Sequence, residues 1–93
     1  ERSEKLMHYI DLITQLPNAE NESMCRIYDY LIQAALFSNM GISQKELECE
    51  MRMTYNTVRS RLKRIPEELL ITNKQGNRSF YLLNLKAVDE SLK

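Results

Sequence analysis

Tryptophan is absent from this 93-residue chain, and glycine and proline occur only twice each. So few breakers exclude a loop-rich or all-β architecture and leave room for helices. No apolar run approaches the roughly 20 residues that a membrane-spanning helix needs, and no secretory leader is legible at the start. The single histidine, His8, and the lack of Cys-x-x-Cys or His-x-x-x-His spacing argue against a structural zinc site. Two cysteines, Cys25 and Cys49, are too few for a disulfide framework. Both fall on apolar helical positions and are expected to be free, buried thiols, a single bridge within or between chains being the alternative. The parts of an enzyme are missing too. There is no nucleophile–base set, phosphate loop or metal-ligand cluster, so no catalytic residue, cofactor or metal is expected. The chain opens on Glu1 rather than Met, as a fragment of a longer protein or a chain with its start removed would.

What is present is the composition of one small domain, 43% hydrophobic and 28% charged, able to bury a modest core. Net charge is zero, but it is unevenly spread. Residues 51–80 carry seven cations, Arg52, Arg59, Arg61, Lys63, Arg64, Lys74 and Arg78, against Glu67 and Glu68, a surplus of five. Residues 1–50 carry four cations against nine acids, a deficit of five, and residues 81–93 balance. Segregation of this kind predicts one cationic and one anionic face.

The apolar spacing predicts mainly helical structure. Residues 3–16 repeat apolar side chains at 6, 9, 10, 13 and 16, with Ser3 as the expected N-cap and Pro17 as the stop. After a polar connection over 18–23, a second helix is expected over about 23–38. Its broad stripe is Met24, Ile27, Tyr28, Leu31, Ala34 and Ala35, and Gly41 suits a left-handed cap. Ser43 to Glu46 fits the capping-box pattern and opens a short helix over about 44–51, with Leu47 and Met51 on one face. Thr54 is positioned to cap a helix over 55–65 with Val58, Leu62 and Ile65 inward, and Pro66 closes it. Residues 69–73 and 78–83 are expected to form a two-stranded hairpin turning through Lys74-Gln75-Gly76-Asn77. One of Phe80 and Tyr81, which alternate across the second strand, is expected in the core. Leu85, Val88 and Leu92 suggest a short terminal helix.

The order helix, helix, turn, helix, hairpin resembles the winged helix-turn-helix family of DNA-binding domains over residues 24–84. The resemblance rests on Leu47, Met51, Met53, Thr54, Thr57, Val58, Leu62, Ile65, Leu70, Ile71, Gly76, Tyr81 and Leu83. Two positions depart from the family pattern. Arg52 stands where the turn usually has glycine, so a rearranged turn is expected. Glu48 stands where a small residue is usual and would crowd the crossing of the two helices unless it points outward.

The resemblance implies a mainly α fold with a small β-hairpin wing and an extra N-terminal helix. It divides the chain into an N-terminal helix and connection (1–22), a winged-helix unit (23–84) and a short C-terminal helix or tail (85–93). It also implies double-stranded DNA as partner. The recognition helix, about 55–65, would lie in the major groove. Tyr55, Asn56, Arg59, Ser60 and Lys63 lie on its outward side. Arg59 suits guanine and Asn56 adenine. Thr57, Arg61, Lys63 and Arg64 suit phosphates, with Thr54 at the helix start. Gln44 and Lys45 resemble family positions that meet phosphate at a helix start. Lys74, Asn77 and Arg78 in the basic wing, about 73–79, would touch the minor groove or the backbone beside it.

The function implied is sequence-specific DNA binding, in a transcription regulator or the recognition module of a larger DNA-acting protein. The implied location is cytoplasmic and nucleoid-associated, or nuclear in a eukaryote. A winged helix used for protein–protein contact is the alternative, and the cationic surplus over 51–80 favours DNA. Helix 3–16 has more apolar surface than one contact needs. Packing on its own domain, homodimerisation and docking on other domains of a longer chain all remain open.

Overall fold

The chain opens with helix α1 (Arg2–Leu12), which leads through a 3-10 turn (Ile13–Gln15) into the long helix α2 (Glu22–Phe37). This is a computed structural model that describes residues 2–92; Glu1 and Lys93, the ends of the two expected flanking segments, lie outside it. Strand β1 (Ile42–Ser43), helix α3 (Gln44–Met51) and helix α4 (Tyr55–Leu62) follow. Strands β2 (Leu70–Gln75) and β3 (Arg78–Leu83) and helix α5 (Leu85–Ser91) complete it. The fold is mostly helical, with a small antiparallel sheet in the order β1-β3-β2.

α2 forms because its N-terminus is capped and its apolar stripe has somewhere to go. The Asn21 side chain accepts from the Ser23 N–H, and Met24, Ile27, Tyr28, Leu31 and Ile32 are almost wholly buried. They form the centre of a single core with Leu47 and Met51 of α3, Val58 and Leu62 of α4, and Tyr81 and Leu83 of β3. Tyr9, Ile13 and Leu16 from the N-terminal segment and Val88 from α5 join the same core. The first helix therefore packs on its own domain, and the Tyr9 hydroxyl donates to Asp89 of α5 at 2.9 Å. Met7 and Ile10 on its other side stay exposed. No described helix is long and apolar enough to cross a membrane.

The structure corrects several expectations. Ser3 lies inside α1 rather than capping it, and α1 ends at Leu12 instead of running to 16. The sheet has a third strand, β1, which pairs Ile42 with Tyr81 and Ser43 with Phe80. Two residues are too few to carry a strand period, so β1 exists only because β3 offers it a ladder. Gly41 is not a helix cap: α2 ends on the extended residue Ser38. Gly41, at φ +107°, is instead the point where the chain grazes β3, and a β-carbon there would lie 2.5 Å from the Tyr81 carbonyl oxygen. The hairpin loop is tighter than expected, with Gln75 opposite Arg78 and only Gly76 and Asn77 between. Gly76 takes φ +63°, which fits a glycine at the first loop position of a two-residue turn. α4 stops at Leu62, so Lys63 and Arg64 fall in the following turn. Tyr81, not Phe80, is the buried member of its pair.

The cysteines also divide. Cys25 is half-buried and its Sγ donates to the Ala19 carbonyl at 2.8 Å. Cys49 is exposed, contrary to expectation, and both thiols are free.

Candidate nucleic-acid interface

Two capped helices and a Schellman turn build the candidate face. Ser43 Oγ accepts from the Glu46 N–H at 3.1 Å and donates to its carboxylate at 3.3 Å. This satisfies an amide left free at the helix start and places an acid against the positive end of the helix dipole. Thr54 satisfies the corresponding amide of α4, accepting from the Thr57 N–H at 3.3 Å, with the two hydroxyls 2.9 Å apart and no acid in the first turn.

Between the helices the Met53 N–H donates to the Glu48 carbonyl at 3.0 Å and the Arg52 N–H to Cys49 at 3.4 Å. These two bonds make a Schellman closure with Arg52 in the left-handed position, at φ 53° and ψ 47°. The turn is therefore not rearranged by the missing glycine. Arginine takes the glycine conformation at a cost on the order of 1 kcal/mol, repaid by the two bonds and by Met53 folding onto the core.

Gln44 locks the two helix starts together. It is 9% exposed, and its amide donates to the Tyr55 carbonyl at 3.2 Å. One of its two amide hydrogens is thus spent on an internal contact, while Gln44 also borders a groove at the start of α3. Tyr55, by contrast, is 55% exposed. Its ring lies beneath the Arg59 guanidinium, 5.9 Å from carbon to centroid, a cation–π contact between residues one helical turn apart.

A groove of about 360 Å³ runs between the start of α3, Tyr55 and the hairpin tip. Lys45, Asn77 and Arg78 border it, and so do Glu46 and Glu48. Glu48, half-buried, thus borders the groove. Sequence reasoning did not place these two carboxylates at the site. The capping box located Glu46 on the first turn of α3, but only the fold shows the hairpin lying across from it.

The remaining candidates spread over a wider surface. Asn56, Arg59, Ser60 and Lys63 are exposed on or just past α4, as are Lys74 beside the hairpin tip and Arg64 in the turn after α4. Thr57 is half-buried in the capping contact. Arg61 leans away from the groove: half-buried, it donates through Nε to Ser23 Oγ at 2.8 Å, bracing α4 against the start of α2. The Arg64 carbonyl accepts from Asn18 at 2.9 Å, which anchors the end of α4 to the N-terminal segment. Arg59 and Arg61 also sit in the last turn of α4, where cations favour the negative end of the helix dipole. The hairpin is held midway along by Asn73, which donates to the Met40 carbonyl at 2.9 Å.

The structure thus gathers Gln44, Lys45, Tyr55, Asn77 and Arg78 around one groove, with Gln44 also bonded to the scaffold, and turns Arg61 away into it. Comparison with protein-family models, curated proteins and solved structures finds no match to this chain. Among the described residues no cluster of histidine, cysteine and carboxylate side chains could hold a metal ion.

Proposed function

We propose that this chain is a winged helix-turn-helix module that binds duplex DNA sequence-specifically, with α4 in the major groove and the β2–β3 hairpin as the wing. Such a module serves a transcriptional regulator or the recognition part of a larger DNA-acting protein. The observation that carries the reading is the convergence of Lys45, Tyr55 and Arg78 on one groove, within and beside the segment that holds the cationic surplus. The element order α2-β1-α3-α4-β2-β3, with β3 central in the sheet, supports it. Arg59 and Asn56 offer the paired donors and acceptors that guanine and adenine edges accept in the major groove. Lys63, Arg64, Lys74 and Arg78 supply phosphate contacts, which add affinity without sequence choice. Exposed Met7 and Ile10 on α1 leave an apolar strip for a second copy or another domain.

Band shifts across a salt series test the reading. The expected result is nanomolar-to-micromolar binding that weakens steeply as salt rises. Arg59→Ala should change the preferred sequence, and Lys63→Ala should weaken all sequences alike. If no duplex is bound at low salt, a protein-contact role takes its place. Glu46 and Glu48 in the groove favour that second reading, because they would repel phosphate and attract a basic partner.

A further inference from the structure

Tyr55 poses a question that the stability of α4 does not answer. Of the large apolar side chains left most open, Met7, Ile10, Phe37 and Tyr55, only Tyr55 belongs to α3, α4 or the hairpin. The helix is already anchored by Val58 and Leu62, both buried, so the ring adds little to the core. Its neighbours nevertheless define its position. The Gln44 amide holds its backbone carbonyl, the Arg59 guanidinium covers part of its face, and the rest of the ring borders the groove.

We propose that Tyr55 is a specificity-determining residue that contacts the C5-methyl group of a pyrimidine, thymine in unmodified DNA, in the base pair next to the one read by Arg59. This rests on the reading of α4 as the helix in the major groove. At that surface the base edges present donors, acceptors and one apolar group, the C5 methyl of thymine. An exposed aromatic ring offers the complementary apolar face. Residues 55 and 59 are separated by about one helical turn, roughly 5.4 Å, which lies between one and two base-pair steps of about 3.4 Å. The ring and the guanidinium therefore address neighbouring pairs. The N-terminal residues of a recognition helix are also the ones that reach base edges. Lying over the ring, Arg59 is poised beside a guanine and gives up some freedom in advance of pairing.

The test uses the full chain and a duplex chosen from a random pool. Each thymine in that site is replaced in turn by deoxyuridine, which lacks only the methyl, and affinity is read by fluorescence anisotropy. One position beside the guanine that depends on Arg59 should lose about fourfold, the worth of one buried methyl. Tyr55→Phe should keep that difference, which excludes the hydroxyl as its source. Tyr55→Ala should still bind but no longer distinguish the two duplexes. Placing cytosine and then 5-methylcytosine at the same position should recover the same factor on methylation. Tighter binding to thymine than to 5-methylcytosine identifies unmodified DNA as the source of the methyl; the reverse order identifies methylated DNA. Equal binding of thymine and deoxyuridine duplexes at every position overturns the proposal, as does discrimination that survives Tyr55→Ala. Either result leaves DNA binding intact, whereas failure to bind any duplex at low salt removes both readings.

Discussion

Helices α3 and α4 are both eight residues long, and each opens on a hydroxyl cap, Ser43 for one and Thr54 for the other. Each buries residues four apart, Leu47 with Met51 and Val58 with Leu62, against the same helix α2. Their outward faces are opposite. α3 carries Glu46, Glu48 and Glu50 against Lys45, and α4 carries Arg59 and Arg61 with no acid. Similar local devices therefore hold two helices whose surfaces carry opposite charge. Caps and core positions decide that each helix forms and how it sits, and the residues left over are free to specify a ligand. That division is not complete. Glu46 doubles as a capping partner, and Arg61 doubles as a brace to Ser23.

The comparison breaks most readily in the shared core. Leu47→Ala removes a wholly buried side chain and should cost about 2–5 kcal/mol of unfolding free energy in urea titrations. A smaller loss would mean that α3 is not seated on the core as α4 is. Next comes the charge contrast. Reversing the charge of α4 and the turn after it with Arg59→Glu and Lys63→Glu should reduce duplex affinity by about a hundredfold with little change in Tm. Reversing α3 with Glu48→Lys and Glu50→Lys should raise affinity. Equal losses from both would show that the two faces do not differ in role.

α2, which backs both helices, supplies a pH test. Burial, and secondarily the neighbouring Cys25, pushes the Tyr28 hydroxyl up to about 12 from its ordinary value near 10. Above pH 10 the unfolded chain loses this proton while the folded chain keeps it, so stability is full below pH 10 and falls as pH rises towards 12. Tyr28→Phe should flatten that fall, measured by thermal melts across the range. At neutral pH it should cost about 1 kcal/mol for the lost bond, in which the hydroxyl donates to the Pro17 carbonyl at 2.6 Å. The caps sharpen the likeness: Ser43→Ala and Thr54→Ala should each cost about 1 kcal/mol by chemical denaturation, nearly equally. Arg52→Gly should have the smallest effect, a gain of about 0.5–1 kcal/mol in the same assay, because glycine takes the left-handed turn without a β-carbon.

Much of the candidate face was legible before the fold was known. Ser43, Glu46 and Thr54 announce two helix starts, because capping acts through bonds no more than three residues long. Leu47 and Met51, or Val58 and Leu62, announce inward faces by spacing alone. Gly76 marks the hairpin loop for a similarly local reason. What escaped depends on neighbours distant in the chain. Ile42 and Ser43 become a strand only beside Tyr81 and Phe80. The fates of Gln44 and Arg61 were also hidden, since a polar side chain at a helix surface looks the same whether it meets solvent, Tyr55 or Ser23.

The sequence by itself determined the helical segments, the caps Ser43 and Thr54, the hairpin and the separation of charge, all properties set by contacts within a few residues. Only the tertiary structure decided that Lys45, Tyr55 and Arg78 border one groove, that Glu46 and Glu48 share it, and that Arg61 turns into the scaffold. The physical reason is that caps and periodicity are short-range, whereas a groove is made where elements some 30 residues apart are drawn together by the core they share.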